Sequence, residues 1–206
     1  MSALPRLLAV TTDAVCREAS FAERAAAIAT AGSSAALVVR APESTTLQQA
    51  QYVEQVRRVA APLDAPVLVH ARPDLARAVG AAGVQLRRSD LAPHDARRVL
   101  GEGWIGVSVH DRREAETALA EGADYLVAGN VFETSSHPGR PPRGLAWLAE
   151  LCTLRVPVFA IGGITAARVA AVAQAGAWGV AAISALWESA EPARAARALL
   201  SAWSPA

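Results

Sequence analysis

The chain is short of the residues that build disulfide scaffolds, metal centres and aromatic recognition surfaces. Among its 206 residues only Cys16 and Cys152 are cysteines. They lie far apart, without the paired spacing of a zinc or redox motif, so both read as inert thiols. Aromatic residues make up 5% of the chain and form no stripe. Neither sign of charge prevails, with Lys+Arg at 20 against Asp+Glu at 19. That balance argues against the clustered basic surface of a nucleic-acid binder. No apolar run approaches the roughly 18 residues of a membrane span. The segment Met1 to Val10 carries one Arg and too short an apolar run for a signal peptide. A soluble cytoplasmic protein is therefore expected, with neither nucleic acid nor membrane as partner. A Walker A motif, a GxSxG elbow and a GxGxxG fingerprint are also absent. His and carboxylate residues are scattered without a dense first shell, so no metal and no cofactor is expected.

What is present is a hydrophobic fraction of 52% against 19% charged residues, enough for one well-buried core. Eight short apolar runs punctuate the chain: Leu7 to Val10, Ala35 to Val39, Pro66 to Val69, Gly83 to Leu86, Trp104 to Val109, Asp124 to Ala128, Val156 to Ile161 and Trp178 to Ile183. Continuous runs of this length, each followed by a helical segment, mark a parallel sheet buried on both faces. Between them, Ser20 with Glu23 reads as a capping box for a helix over Phe21 to Thr30. Thr46 to about Ala60, Pro93 to Leu100, Glu114 to Glu121, a helix capped by Thr165, and Glu191-Pro192 to about Trp203 supply further helices. Glycine-alanine stretches at Val79 to Val84, Glu121 to Asp124 and Ala175 to Trp178 repeat one helix-stop-then-strand grammar. Eight such units predict a single domain over residues 1–206, a closed (β/α)8 TIM barrel, with an open doubly wound sheet as the alternative.

Active sites of such barrels lie at the C-terminal ends of the strands. The segment Ala160-Ile161-Gly162-Gly163-Ile164-Thr165 follows a strand and leads to a helix. Its two glycines allow close backbone approach, and a helix N-terminus presents N–H groups to an anion. Ile183 and Ser184, after the last run, complete a candidate phosphate cup. The sixth run ends in the polar loop Gly129 to Arg140, from which Asn130, Thr134, Ser136 and His137 are candidates to cover a polar ligand. Arg40, His70, Asp90, Ser108 and His110 are further mouth candidates, although Asp90 reads equally as a cap for the helix near Pro93.

At these residues the chain resembles a known family. Ile105-Gly106-Val107-Ser108-Val109-His110, Gly122-Ala123-Asp124-Tyr125, Val131-Phe132-Glu133-Thr134, Arg143-Gly144-Leu145, Ala160 to Ile164 and Gly176 to Ala181 follow the order found in the thiamine phosphate synthase superfamily, which includes the thiazole tautomerase TenI. The resemblance runs from Thr11-Thr12-Asp13 to the last helix. Synthases carry a Gln-Leu-Arg-Glu-Lys-like run after strand two, of which only Arg40 is kept. They carry an Asn-Asp pair after strand three, its Asp binding Mg²⁺, where this chain has His70-Ala71. Asp90 matches their second magnesium carboxylate, and their Thr-x-Thr-Lys element becomes Thr134-Ser135-Ser136-His137.

Val84-Gln85-Leu86 and Val131 to Thr134 follow the TenI form. The resemblance therefore implies a metal-independent isomerase that aromatises a carboxythiazole phosphate in thiamin biosynthesis, with a small phosphorylated thiazole as ligand and a homodimer as its assembly. Tautomerases of this kind place a histidine where this chain has Asn130. His70, His110 and His137 are then the imidazoles available for proton transfer, and His70 is the first to test. Gly162, Gly163, Ile183 and Ser184 would hold the phosphate, with Thr134 and Ser136 on the loop side. A thiamine phosphate synthase and a non-catalytic thiamin-phosphate binder are the alternatives.

Overall fold

A computed structural model describes residues 3–134, 139 and 141–203. Among the described residues, eight strands form a closed barrel in sequence order: β1 Leu7–Val10, β2 Ala35–Val39, β3 Val67–His70, β4 Gly83–Leu86, β5 Trp104–Val109, β6 Tyr125–Ala128, β7 Val158–Ile161 and β8 Gly179–Ala182. All eight neighbour pairs are parallel, and β8 returns to β1 through Leu7↔Val180 and Leu8↔Ala181. The described α-helices around it are α1 Asp13–Arg17, α2 Phe21–Ala29, α3 Thr46–Ala60, α4 Pro73–Ala78, α5 Pro93–Leu100, α6 Arg112–Ala120, α7 Gly144–Cys152, α8 Val169–Gln174, α9 Ser184–Trp187 and α10 Pro192–Leu200.

Side chains alternate across the strands, so each apolar run feeds two cores. Leu7, Leu37, Val69 and Ile105 face the helices in the larger core. Leu8, Val38, Leu68, Trp104, Tyr125, Val127, Phe159 and Ala181 fill the barrel itself. The N-terminal end of the barrel is closed by Arg6. Its guanidinium stacks 3.6 Å over Trp178 and donates to the Trp178 carbonyl at 2.7 Å, while Trp178 Nε1 donates to Pro5 O at 2.8 Å. The opposite, C-terminal end is the one at which ligand sites of this fold lie.

Several helix starts differ from the sequence expectation. Ser20 makes no side-chain cap bond to α2; its hydroxyl accepts from Arg24 Nε at 3.2 Å instead. The capping box lies at α3, where the Thr45 side chain accepts from Gln48 N and the Gln48 side chain accepts from Thr45 N. Thr165 also makes no cap bond, and a 3-10 turn, Ala166–Arg168, intervenes before α8. Asp90 does not cap α5, whose N-cap is Ala92; it closes the preceding turn by accepting from Arg87 N at 2.7 Å.

Candidate functional site

The floor of the mouth is set by strand register. Inward alternation places His70 at the end of β3 beside Gln85 of β4. On β5, Ser108 lies two residues beyond Gly106 on the same face, and Gln85 Nε2 donates to Ser108 Oγ at 3.1 Å. Arg40 follows β2 directly. Its backbone is pinned by the wholly buried Thr11, which accepts from Arg40 N at 2.8 Å and donates to Arg40 O at 3.0 Å. Asp13 holds the rest of that loop, accepting from Glu43 N at 3.1 Å and Ser44 Oγ at 2.9 Å. The Arg40 guanidinium itself, half-buried, makes no hydrogen bond or ion pair with any described residue. It is a fixed cation at the rim, and the chain contains no lysine to supply another kind, since all 20 of its basic residues are arginine.

On the far side, Gly162 and Gly163 adopt φ of +97° and +63°, turns that glycine alone takes without strain. A side chain on Gly162 would meet Asn130 Cβ at 2.6 Å, and one on Gly163 would overlap Glu133 O. These contacts arise because the β6 and β7 loops are zipped together: Val131 N donates to Ile161 O at 2.9 Å and Phe132 N to Gly162 O at 3.1 Å. Arg168, which sequence reasoning missed, locks the turn by donating to Gly163 O at 2.6 Å while its guanidinium lies 4.6 Å from the Phe132 ring centre. Its place could be found only once the loops were seen together. Next to this turn, Ile183 leads into α9, whose first internal donors are Leu186 N and Trp187 N, both to Ile183 O at 3.0 Å. The N–H groups of Ser184 and Ala185 have no acceptor within the helix, the condition for anion binding. Gly162 and Gly163 follow β7 and Ile183 and Ser184 follow the neighbouring β8, with Asn130 against the glycine turn. The half-buried Thr134 ends the described part of the β6 loop. Ser136 and His137 lie outside the described residues.

The two described candidate imidazoles, His70 and His110, are poorly placed for proton transfer. Burial pushes His70 down to about 4 from 6.5, and the Arg40 guanidinium adds to the shift while Asp90 opposes it. His70 is therefore neutral near pH 7 and a weak base, against the expectation that it relays the proton. His110 is exposed and engaged with α6, its ring Nδ1 3.3 Å from Glu114 Oε2 and its backbone N 2.8 Å from the same oxygen. It is not brought to the other candidates by any of these contacts. Asn130 Nδ2 donates to Phe132 O at 3.4 Å, a structural contact within its own loop.

The depressed His70 sets a pH signature. The unfolded chain takes up the proton near 6.5 and the folded chain only near 4, so stability is complete above pH 6.5 and is lost as pH falls toward 4. The full shift corresponds to roughly 3 kcal/mol as an upper figure. Urea unfolding at pH 7 and pH 4.5 should show a larger loss for the wild type than for His70→Asn; equal losses would contradict a buried neutral imidazole.

The donor set does not suit a divalent cation held by paired carboxylates. No group of three His, Cys, Asp or Glu side chains gathers among the described residues. Asp90 is already engaged by Arg87, accepting from its Nη2 at 2.8 Å, its Nε at 3.2 Å and its backbone N at 2.7 Å. Its expected partner after β3 is the neutral His70.

Comparison with known proteins places this architecture. The family model described as thiamine monophosphate synthase matches residues 7–186. Thiamine-phosphate synthase of Salinispora tropica is 40% identical over 206 residues, covering 98% of this chain and 99% of that protein. A Thermus thermophilus enzyme of the same name is 44% identical over 137 residues, and its Synechococcus counterpart 44% over 156. Those two matches span only 66% and 43% of the respective relatives. Among solved structures, thiamine phosphate pyrophosphorylase from Pyrococcus furiosus superposes with a TM-score of 0.84 at 31% identity, covering 96% of this chain and 95% of that one. A 3-hexulose-6-phosphate synthase at 21% identity and a TM-score of 0.69 shares the fold alone.

These relatives overturn the expected thiazole tautomerase. They carry the synthase name at 40–44% identity, one over nearly the full chain. The physical reason agrees, because burial depresses His70 and His110 is engaged with Glu114. The chain belongs to the thiamine monophosphate synthase family.

Proposed function

We propose that the chain is a transferase of the thiamine-phosphate synthase type, joining a pyrimidine methylene diphosphate to a thiazole phosphate with release of diphosphate. The observation that carries this reading is a pair of anion-accepting rims at the C-terminal mouth of the barrel. The glycine turn Gly162-Gly163 and the start of α9 follow β7 and β8, and the unpartnered Arg40 follows β2, with only β1 between β2 and β8. A substrate pair bearing one phosphate and one diphosphate fits two such rims.

The chemistry fits the titratable groups as well. The thiazole ring nitrogen attacks the pyrimidine methylene carbon, a C–N bond forms, and the C–O bond breaks with its electron pair leaving on diphosphate. No proton has to be removed from the nucleophile, so a neutral His70 and an amide at position 130 are no obstacle. Gly162, Gly163, Ile183 and Ser184 hold the thiazole phosphate, with Thr134 on the loop side, while Arg40 faces the charge that grows on the leaving diphosphate. Ser108 presents its hydroxyl from the floor between them.

The test is steady-state turnover of a pyrimidine methylene diphosphate with thiazole phosphate, followed by thiamine phosphate formation. Product formed with one equivalent of diphosphate supports the reading, and thiazole phosphate binding without product sinks it. A companion prediction concerns Asp90. Because Arg87 holds its carboxylate in an ion pair and a turn, Asp90→Asn should leave the response to added Mg²⁺ unchanged and cost only about 1 kcal/mol of stability. A magnesium requirement that shifts with Asp90→Asn would show the carboxylate to be a ligand.

A further inference from the structure

Beneath Ser108 lie two buried polar atoms that no part of the reaction above uses. Gln85 Oε1 and Tyr125 Oη are both buried and have no hydrogen-bond partner. They come from strands on either side of β5, since Gln85 and Tyr125 are both register partners of Gly106. A Cβ on Gly106 would overlap Tyr125 Cζ, Tyr125 Cε2 and Gln85 Oε1 together. The phenol end and the amide oxygen therefore share the space left by the missing side chain. Buried polar atoms are nearly always satisfied, by each other or by an ordered water. Here one atom is a donor and its neighbour an acceptor.

The amide orientation fixes the direction of the chain. Gln85 Nε2 lies 3.3 Å from Leu86 O and 3.1 Å from Ser108 Oγ. A backbone carbonyl only accepts, so the NH2 group must face Leu86 and the oxygen must face Tyr125. Both amide protons are then engaged, and Ser108 Oγ receives one of them. The serine hydroxyl donates to no described residue, which leaves its proton for a ligand above the floor. Burial raises the Tyr125 pKa, so the phenol keeps its proton and stays a donor.

We propose that Tyr125 and Gln85 are positioning residues: Tyr125 Oη donates to Gln85 Oε1, directly or through one water, and the oriented amide holds Ser108 as a donor toward an acceptor atom of the bound ligand. The kinetic arm of this proposal rests on the synthase reading, while the structural arm does not.

The experiment is a double-mutant cycle with Tyr125→Phe and Ser108→Ala, read as kcat and KM for thiamine phosphate formation. It is accompanied by NMR of the Gln85 side-chain amide. Tyr125→Phe removes one oxygen and keeps the ring, so the fold should hold. Each single variant is expected to lower kcat about tenfold with KM little changed, and the double variant to fall no further than the worse single. In the wild type the Gln85 amide protons should exchange slowly and shift on Tyr125→Phe. Losses that multiply in the double variant, or an amide signal indifferent to Tyr125→Phe, would overturn the relay. If the wild type forms no thiamine phosphate, the synthase reading fails and the amide signal alone decides the relay.

Discussion

Gly163→Val is expected to weaken thiazole phosphate binding by at least an order of magnitude and to destabilise the fold. Three effects act at one position. The backbone sits at φ +63°, where an L-residue costs about 1–2 kcal/mol and a β-branched one more. A Cβ there overlaps Glu133 O and comes within 2.9 Å of Phe132 Cβ and 3.0 Å of Arg168 Nη1, so the zipped loops must part. Overpacking of that kind costs a further ~1–3 kcal/mol. Finally, the parted turn can no longer bring its N–H groups to the phosphate. Calorimetric titration with thiazole phosphate checks the binding, and urea unfolding checks the fold. Gly163→Ala, with the same strain but less bulk, should fall between the two. Unchanged affinity in a folded Gly163→Val would remove the phosphate from this turn.

Arg40→Met is expected to lower kcat/KM by roughly 10- to 150-fold, the equivalent of the about 1.5–3 kcal/mol carried by a hydrogen bond to a charged group. The change should fall on the ligand and not on the loop, because Thr11 and Asp13 hold the backbone around position 40 whatever the side chain. Arg40→Lys should restore only part of the activity, since an ammonium lacks the forked donor geometry that diphosphate oxygens match. A second readout is independent of turnover. The Arg40 charge helps to depress His70, so the His70 titration followed by NMR should move up in Arg40→Met. Full activity together with an unmoved His70 titration would place Arg40 outside the site.

The strands were legible because both faces are buried. Leu7–Val10, Ala35–Val39, Gly83–Leu86 and Trp104–Val109 each read as an unbroken apolar run and coincide with β1, β2, β4 and β5. The three-residue and one-turn elements were not legible. Asp13–Arg17 and Ser184–Trp187 are too short to display a helical period. At Thr165 the sequence has a good capping residue, yet the chain first takes a 3-10 turn; within that turn Arg168 reaches back to Gly163. That tie is tertiary, and a local rule cannot anticipate it.

The site divides in the same way. The turn at Gly162 and Gly163 was legible because backbone freedom after a strand is a local signal. Arg168, Tyr125 and the orphaned amide oxygen of Gln85 were not, since each acquires its meaning from a residue on another strand or loop. The choice between synthase and isomerase is not legible in the sequence, for a chemical reason. Missing magnesium ligands count against the synthase, and histidines count as bases until their environments are known. His70 is depressed by burial and His110 is tied to Glu114, which removes the advantage of the isomerase reading.

The most direct measurement is a crystal structure with thiazole phosphate and inorganic diphosphate bound together. The account predicts the thiazole phosphate on the Gly162-Gly163 turn and the first N–H groups of α9, with the diphosphate against the Arg40 guanidinium and the Ser108 hydroxyl donating to the ligand between them. A phosphate bound away from that turn, or a diphosphate that leaves Arg40 unengaged, would contradict it.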